Sequence, residues 1–114
     1  MLNKFKQHIK KIIPKKSKLL VAVSGGVDSI VLCTLLKNVK IDFSIAHVNY
    51  SLRGDQSKKD ELFINEYCLN NKIKFYLKRY NLSKQKKSIQ EKARTIRYKF
   101  FNTTCNQNKY NYIL

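Results

Sequence analysis

Leu19-Leu-Val-Ala-Val-Ser-Gly-Gly-Val-Asp-Ser29 is the stretch whose reading decides the fold of this chain. Its first five residues are apolar without a polar break, and two are β-branched. That pattern suits a strand buried on both faces of a parallel sheet. After the glycines comes a second apolar block carrying Ile30, Val31, Leu32, Leu35 and Leu36, expected as a helix from about Asp28 to Asn38. Gly25 and Gly26 have no Cβ, so the chain between strand and helix can turn sharply and approach an oxyanion closely. Free N–H groups at a helix start, at the positive end of its dipole, suit phosphate. The hydroxyls of Ser24 and Ser29 add donors. Asp28 is placed either to hold a divalent cation or to orient an amine nucleophile, and the residues alone leave both open. The spacing is not GxxxxGK[ST], so the lysine that grips terminal phosphates in that motif is missing. Nor is it GxGxxG, which argues against a dinucleotide site.

Outward from this turn, strands and helices alternate. Phe43 to Val48 reads as a second strand, Ile73 to Leu77 as a third, and Tyr110 to Leu114 as the start of a fourth. Ser57 with Asp60 gives a weak capping signal for a helix through Cys68, on which Leu62, Ile64, Tyr67 and Cys68 loosely share a face. Ser88-Ile-Gln-Glu91 is a better capping box, opening a helix with Ile89, Ala93, Ile96 and Phe100 in one stripe. The aromatic trio Tyr98, Phe100 and Phe101 is expected mostly in the core. Leu2, Phe5, Ile9 and Ile12 predict an amphipathic helix ended by Pro14. Lys84–Lys87 reads as a flexible loop. The alternation predicts right-handed βαβ units: an α/β fold with an open parallel sheet and helices on both faces.

The chain has 114 residues, enough for one domain, and 43% of them are apolar. No run approaches the roughly 20 apolar residues of a membrane span, and no signal-peptide block follows the N-terminal lysines. A soluble, cytoplasmic protein is the expectation. Cys33, Cys68 and Cys105 are far apart and odd in number, which argues against disulfides and metal clusters and for reduced, core-associated thiols. The formal charge of +17 would attract phosphate backbones. It is carried almost wholly by lysine, so a strongly AT-biased genome explains it as well as selection for nucleic acid. Arg53, Arg79, Arg94 and Arg97 are the only arginines, and such a bias would tend to remove them.

Two more strings bear on function. Ala46-His-Val-Asn-Tyr-Ser-Leu-Arg-Gly54 closes the second strand, at the edge where open parallel sheets bind ligands. Arg53 there has the planar fork that clamps phosphate, and His47 alone reads more simply as a satisfied core histidine. Ala93-Arg-Thr-Ile-Arg-Tyr-Lys-Phe-Phe101 places Arg94 and Arg97 three apart, on one side of a helix whose start points toward the same edge.

The SGGVDS string resembles the PP-loop of the N-type ATP pyrophosphatases, with an adenine nucleotide alpha hydrolase-like, Rossmann-like sheet. Taken with HVN-x-x-LRG and AR-x-x-RY-x-FF, in this order and spacing, it resembles the tRNA(Ile)-lysidine synthase family from about Leu19 to Leu114. One departure is Tyr50, where many members have His. The resemblance implies ATP and Mg²⁺. It assigns Ser24, Gly25, Gly26, Val27, Asp28 and Ser29 to pyrophosphate, with Asp28 also the metal ligand. His47 and Asn49 would lie beside the nucleotide. Arg53, Arg94 and Arg97 would contact phosphate or the tRNA, with Asp28, Arg94 and Arg97 as catalytic candidates. The implied reaction adenylates the C2 oxygen of the wobble cytidine in a tRNA(Ile) with a CAU anticodon, after which L-lysine displaces AMP. In that family the fourth strand leads into a His-His-x-x-Asp-Asp motif. Its absence predicts that residues 1–114 are an incomplete N-terminal PP-loop domain, truncated in the fourth strand and inactive alone. The alternatives are another PP-loop ATP pyrophosphatase, or a non-catalytic basic remnant that binds nucleic acid.

Overall fold

The computed structural model describes residues 18–23, 27–52 and 54–113, with Val27 and Asp28 described by backbone alone. The expected helix over residues 2–12 lies outside them, as do Ser24, Gly25, Gly26, Arg53 and Leu114. The elements run β1 (Leu19–Ala22), α1 (Val27–Asn38), β2 (Phe43–Asn49), α2 (Asp55–Asn70), β3 (Phe75–Arg79), α3 (Ile89–Asn108) and β4 (Tyr112–Ile113).

The strands form one parallel sheet in the order β3-β2-β1-β4. Its residues alternate between two cores. Leu19, Val21, Val23 and Ile45 pack with Cys33 and Leu36 of α1 and with Ile64 and Cys68 of α2. Leu20, Ala46 and Val48 face the other way, against Phe101 of α3 and Tyr110. This two-sided burial is why β1 shows no polar alternation. Each fully buried Leu or Ile stabilises the fold by roughly 2 kcal/mol. The helix faces follow from handedness. The steps β1→β2→β3 run in one direction, so α1 and α2 share a face, and β3→β4 returns, so α3 covers the opposite one.

All three described helices end with a lysine in the left-handed region, Lys40, Lys72 and Lys109, with φ of 60°, 56° and 57°. The next residue then bonds back to the carbonyl five before it: Ile41 to Leu36, Ile73 to Cys68 and Tyr110 to Cys105. This is the Schellman arrangement, with its apolar contact supplied by Ile41, Ile73 and Tyr110. Lysine lacks the conformational freedom of the glycine usually found there. Lys→Gly at the three positions should each stabilise the domain by about 0.5–1 kcal/mol. A urea or thermal melt of the triple variant should show a midpoint raised by roughly 10 °C.

The same caps correct two expected strands. Ile73 is spent on capping α2, so β3 begins at Phe75 rather than Ile73. It runs past Leu77 through Lys78 and Arg79, which pair with Val48 and Asn49. Exposed cations on this edge strand discourage pairing with another chain. Tyr110 likewise caps α3, and β4 starts only at Tyr112, with the Asn111 N–H on the Lys18 carbonyl at 2.8 Å.

Both capping expectations need correction. α2 starts at Asp55, after Gly54 at φ 55°, so Ser57 sits inside the first turn and not before it. Ser88 does precede α3, but in a left-handed conformation and without a side-chain cap bond. A capping hydroxyl needs an extended backbone to reach the N2 or N3 amide. Within α3, burial centres on Phe101 and Thr104, whereas Tyr98 is 51% exposed and outside the core. Leu62 of α2 is also exposed.

The cysteines are free, with Cys33 and Cys68 buried and Cys105 half-buried. Burial pushes the Cys33 thiol up to about 12 and Cys68 to about 11, so both stay protonated and unreactive. Among the described residues no helix is long and apolar enough to cross a membrane.

Candidate functional site

The crossover direction reverses beside β1, whose neighbours are β2 on one side and β4 on the other. In open α/β sheets ligands bind outside the carboxyl ends of the strands at such a reversal. Val23, 2% exposed, is the last described residue at that end of β1, and α1 begins at Val27. The first turn of α1 therefore contains Val27, Asp28 and the half-buried Ser29 at the N-terminus of a 12-residue helix. Its free amides and dipole favour an anion there.

His47 is 4% exposed, and its Nδ1 lies 2.6 Å from the Val23 carbonyl oxygen. Only a protonated ring nitrogen can donate to a carbonyl, so the proton sits on Nδ1. The imidazole thus ties β2 to the last residue before the glycine turn. Asn49 is held at both ends of its amide. Its Nδ2 donates to Glu61 Oε1 at 3.0 Å, and its Oδ1 accepts from the Ser51 N–H at 2.9 Å. Ser51 has φ 58°, so this bond shapes the turn out of β2.

The pairing of Glu61 with Arg79 was not expected from the sequence, which marked Arg79 only as one of four arginines. Arg79 Nε and Nη2 donate to the Glu61 carboxylate at 2.9 and 2.8 Å, a bidentate pair joining α2 to β3. The Glu61 side chain is only 13% exposed, while Arg79 is 70% exposed. Hydrogen bonding from Arg79 outweighs burial and holds the Glu61 carboxyl down to about 2, against an ordinary 4.5. The advance signal in the string was Arg79 itself, an arginine kept in a lysine-rich chain. A carboxyl lowered in the folded state stabilises it above the unfolded value and loses that contribution as pH falls through the folded one. The stability advantage of the parent over Glu61→Gln, read from urea midpoints, should be full at about pH 6. It should decline between about pH 4.5 and 2. A constant difference across that range would show the carboxylate charge to be irrelevant.

Arg97 reaches the carboxyl ends of the strands from the α3 side. It lines a crevice of about 130 Å³ with Ala22, Val23, Val48, Tyr50 and Phe101. The Tyr50 hydroxyl donates to the Ala93 carbonyl at 3.0 Å, fastening the end of β2 to the arginine-bearing turn of α3. Burial pushes the Tyr50 phenol up, against the opposing pull of the Arg97 cation. Arg94 and Arg97 flank the Tyr98 ring at 5.6 and 5.5 Å. Together with Ser88 and Gln90 they line an open cavity of about 930 Å³. The two arginines are therefore brought together, but only Arg97 touches the strand ends. His47 and Asn49 flank the same end of β2 from the opposite face of the sheet. No group of three His, Cys, Asp or Glu side chains gathers as a metal cluster among the described residues.

Residues 1–114 match the family described as the PP-loop domain. Several relatives are named tRNA(Ile)-lysidine synthase. The one from Chlorobaculum tepidum is 38% identical over 111 residues, covering 90% of this chain and 34% of that protein. The one from Clostridium acetobutylicum is 41% identical over 98 residues, covering 79% of this chain and 21% of that protein. The chain thus spans about a third or less of the length of these relatives. Among solved structures, an NH3-dependent NAD synthetase from Campylobacter jejuni shares the fold, with a TM-score of 0.63 and 14% identity. That likeness covers 97% of this chain and 52% of the synthetase.

Proposed function

The chain belongs to the PP-loop domain family, and from that premise we propose that it is the nucleotide-binding part of an ATP-dependent tRNA(Ile)-lysidine synthase. The observation that carries the reading is the convergence on one sheet edge of the α1 N-terminus, the His47–Val23 tie and the Arg97 crevice. The relatives' names supply the substrate class.

In the proposed reaction the C2 oxygen of the wobble cytidine of a CAU-anticodon tRNA attacks the α-phosphorus of ATP, and pyrophosphate leaves. The lysine ε-amine then adds to C2 of the adenylated base. The C2–O bond breaks, AMP departs with the oxygen, and the amine gives up a proton. Ser24, Gly25, Gly26, Val27 and Ser29 would bind the pyrophosphate. Arg53, Arg94 and Arg97 would balance the charge of phosphate or tRNA.

Mg²⁺ fits as a partner of the nucleotide. This ion is held by one or two carboxylates together with substrate phosphates, not by an all-protein cage. Asp28, by position in the first turn of α1, is the carboxylate that would supply that ligand, and the ion would neutralise charge on the leaving pyrophosphate.

The test is a chimera in which this chain replaces the matching segment of the Chlorobaculum tepidum relative. Labelled lysine should enter a CAU-anticodon tRNA(Ile) transcript, dependent on ATP. Asp28→Asn should lower that rate about a hundredfold or more. A folded chimera that binds the transcript but neither ATP nor lysine would instead support a non-catalytic RNA-binding domain. The 114 residues alone are expected to bind ATP weakly and to form no lysidine.

A further inference from the structure

Away from the strand-end crevice, a groove of about 470 Å³ runs between β3 and α3. Its walls carry Lys78, Lys92 and Lys99, its floor Ile96 and Phe100, and Tyr80 stands at one end. No carboxylate lines it. Tyr80 is 40% exposed, with the Lys92 ammonium 6.0 Å from its ring centroid. Lys92 and Lys99 are seven residues apart, so they share a face of α3 and stand about 10 Å apart along its axis.

The cations are not spread evenly, as mere lysine richness would have them. The α2 helix carries four carboxylates and two lysines, whereas α3 carries four cations and one carboxylate. The two helices cover opposite faces of the sheet, so charge on the described helices is unequal between the faces, and the groove lies on the side of the more basic one.

We infer that this groove holds a single-stranded RNA segment, its phosphates on Lys78, Lys92 and Lys99 and one base stacked on Tyr80. Spaced cations beside an exposed aromatic face are what unpaired nucleic acid requires. An apolar floor suits a base and not the phosphate surface of a closed duplex. The inference rests on the proposed tRNA-modifying role for its link to the site. Lys78 and Tyr80 stand at the carboxyl end of β3, two strand spacings from β1, or about 10 Å. Nucleotides flanking a reactive base at the β1 edge would reach the groove, which shares α3 with Arg94 and Arg97.

The experiment uses the whole chain and a labelled stem-loop RNA with a CAU loop, read by fluorescence anisotropy over a salt series. The Lys78→Gln, Lys92→Gln, Lys99→Gln triple variant should bind at least tenfold more weakly. Its log–log salt slope should fall by about 2, near 0.7 for each lost single-strand phosphate contact. Tyr80→Ala should lose roughly tenfold with the slope unchanged. An equal charge loss elsewhere, Lys58→Gln, Lys59→Gln and Lys72→Gln, should cost less than twofold. These positions are all exposed, and circular dichroism on the same samples reports their folding. Equal losses in the two triple variants, an unmoved slope, or no RNA binding by the parent would overturn the inference. So would lysine protection at the groove by an acidic peptide in preference to RNA. ATP affinity of the folded chimera, measured in parallel, separates the two readings. If ATP fails to bind while the groove variants behave as expected, the RNA groove stands and the nucleotide site falls.

Discussion

Arg97→Lys should lower lysine incorporation by the chimeric enzyme about a hundredfold while changing the unfolding free energy in urea by no more than about 0.5 kcal/mol. Arg97 joins the open cavity on α3 to the small crevice at the ends of β1 and β2. It also packs on Tyr98, with the guanidinium 5.5 Å from the ring centroid. A guanidinium can lie flat on that ring and still present two parallel donors to a phosphate, whereas an ammonium is a single strongly hydrated point of charge. The net charge is kept, so a loss of this size would assign the effect to geometry. It should fall mainly on kcat if the arginine acts on charge developing in the transition state, and on KM if it only binds substrate. Arg94→Lys is the internal comparison. Arg94 is exposed, meets the Tyr98 hydroxyl through Nε at 3.4 Å and does not line the strand-end crevice, so its loss should be well under tenfold. Equal losses for the two lysine variants would mean that Arg97 has no privileged place at the crevice.

The sheet was legible because burial on both faces leaves β1 an unbroken apolar run and β2 a largely apolar one, and because the glycines mark where strand gives way to helix. The ends of α1 were legible, with Asn38 its last residue as expected, but those of α2 and α3 were not. Ile73 and Tyr110 look like strand residues by composition, but each is drawn into the Schellman cap of the preceding helix. The capping residue is lysine, not glycine, so nothing in the string announced the motif. The strand-end site divided in the same way. The pairing of Arg94 with Arg97 follows from helical spacing and is visible in the sequence. Glu61 and Arg79 meet from α2 and β3, eighteen residues apart, and no local pattern reveals such a pair. Asn49 shows what that omission conceals, for its amide is engaged by Glu61 and Ser51. Its contribution is to fix the turn out of β2. His47 had two readings in the sequence, core histidine or neighbour of the nucleotide. The geometry bears out the first, since the imidazole is buried and hydrogen-bonds the Val23 carbonyl.

That junction carries the other large effect. His47→Ala removes the donor to the Val23 carbonyl, leaves that acceptor without its partner and empties the space of a buried ring. The unmet carbonyl costs about 1–3 kcal/mol and the cavity adds to it, so a loss of about 2–4 kcal/mol is expected in urea denaturation. Affinity of the chimera for a non-hydrolysable ATP analogue should fall roughly tenfold, because the backbone before the glycines loses its tie to β2. His47→Asn is the decisive companion. Its side-chain amide can place an N–H where Nδ1 stands, so it should recover most of the nucleotide affinity and part of the stability, at a reduced volume. Recovery by asparagine would assign the effect to the hydrogen bond, and so to the positioning of the turn. Equal destabilisation in both variants, with nucleotide affinity unmoved, would leave His47 as a packing residue and remove the His47–Val23 tie from the case for the site.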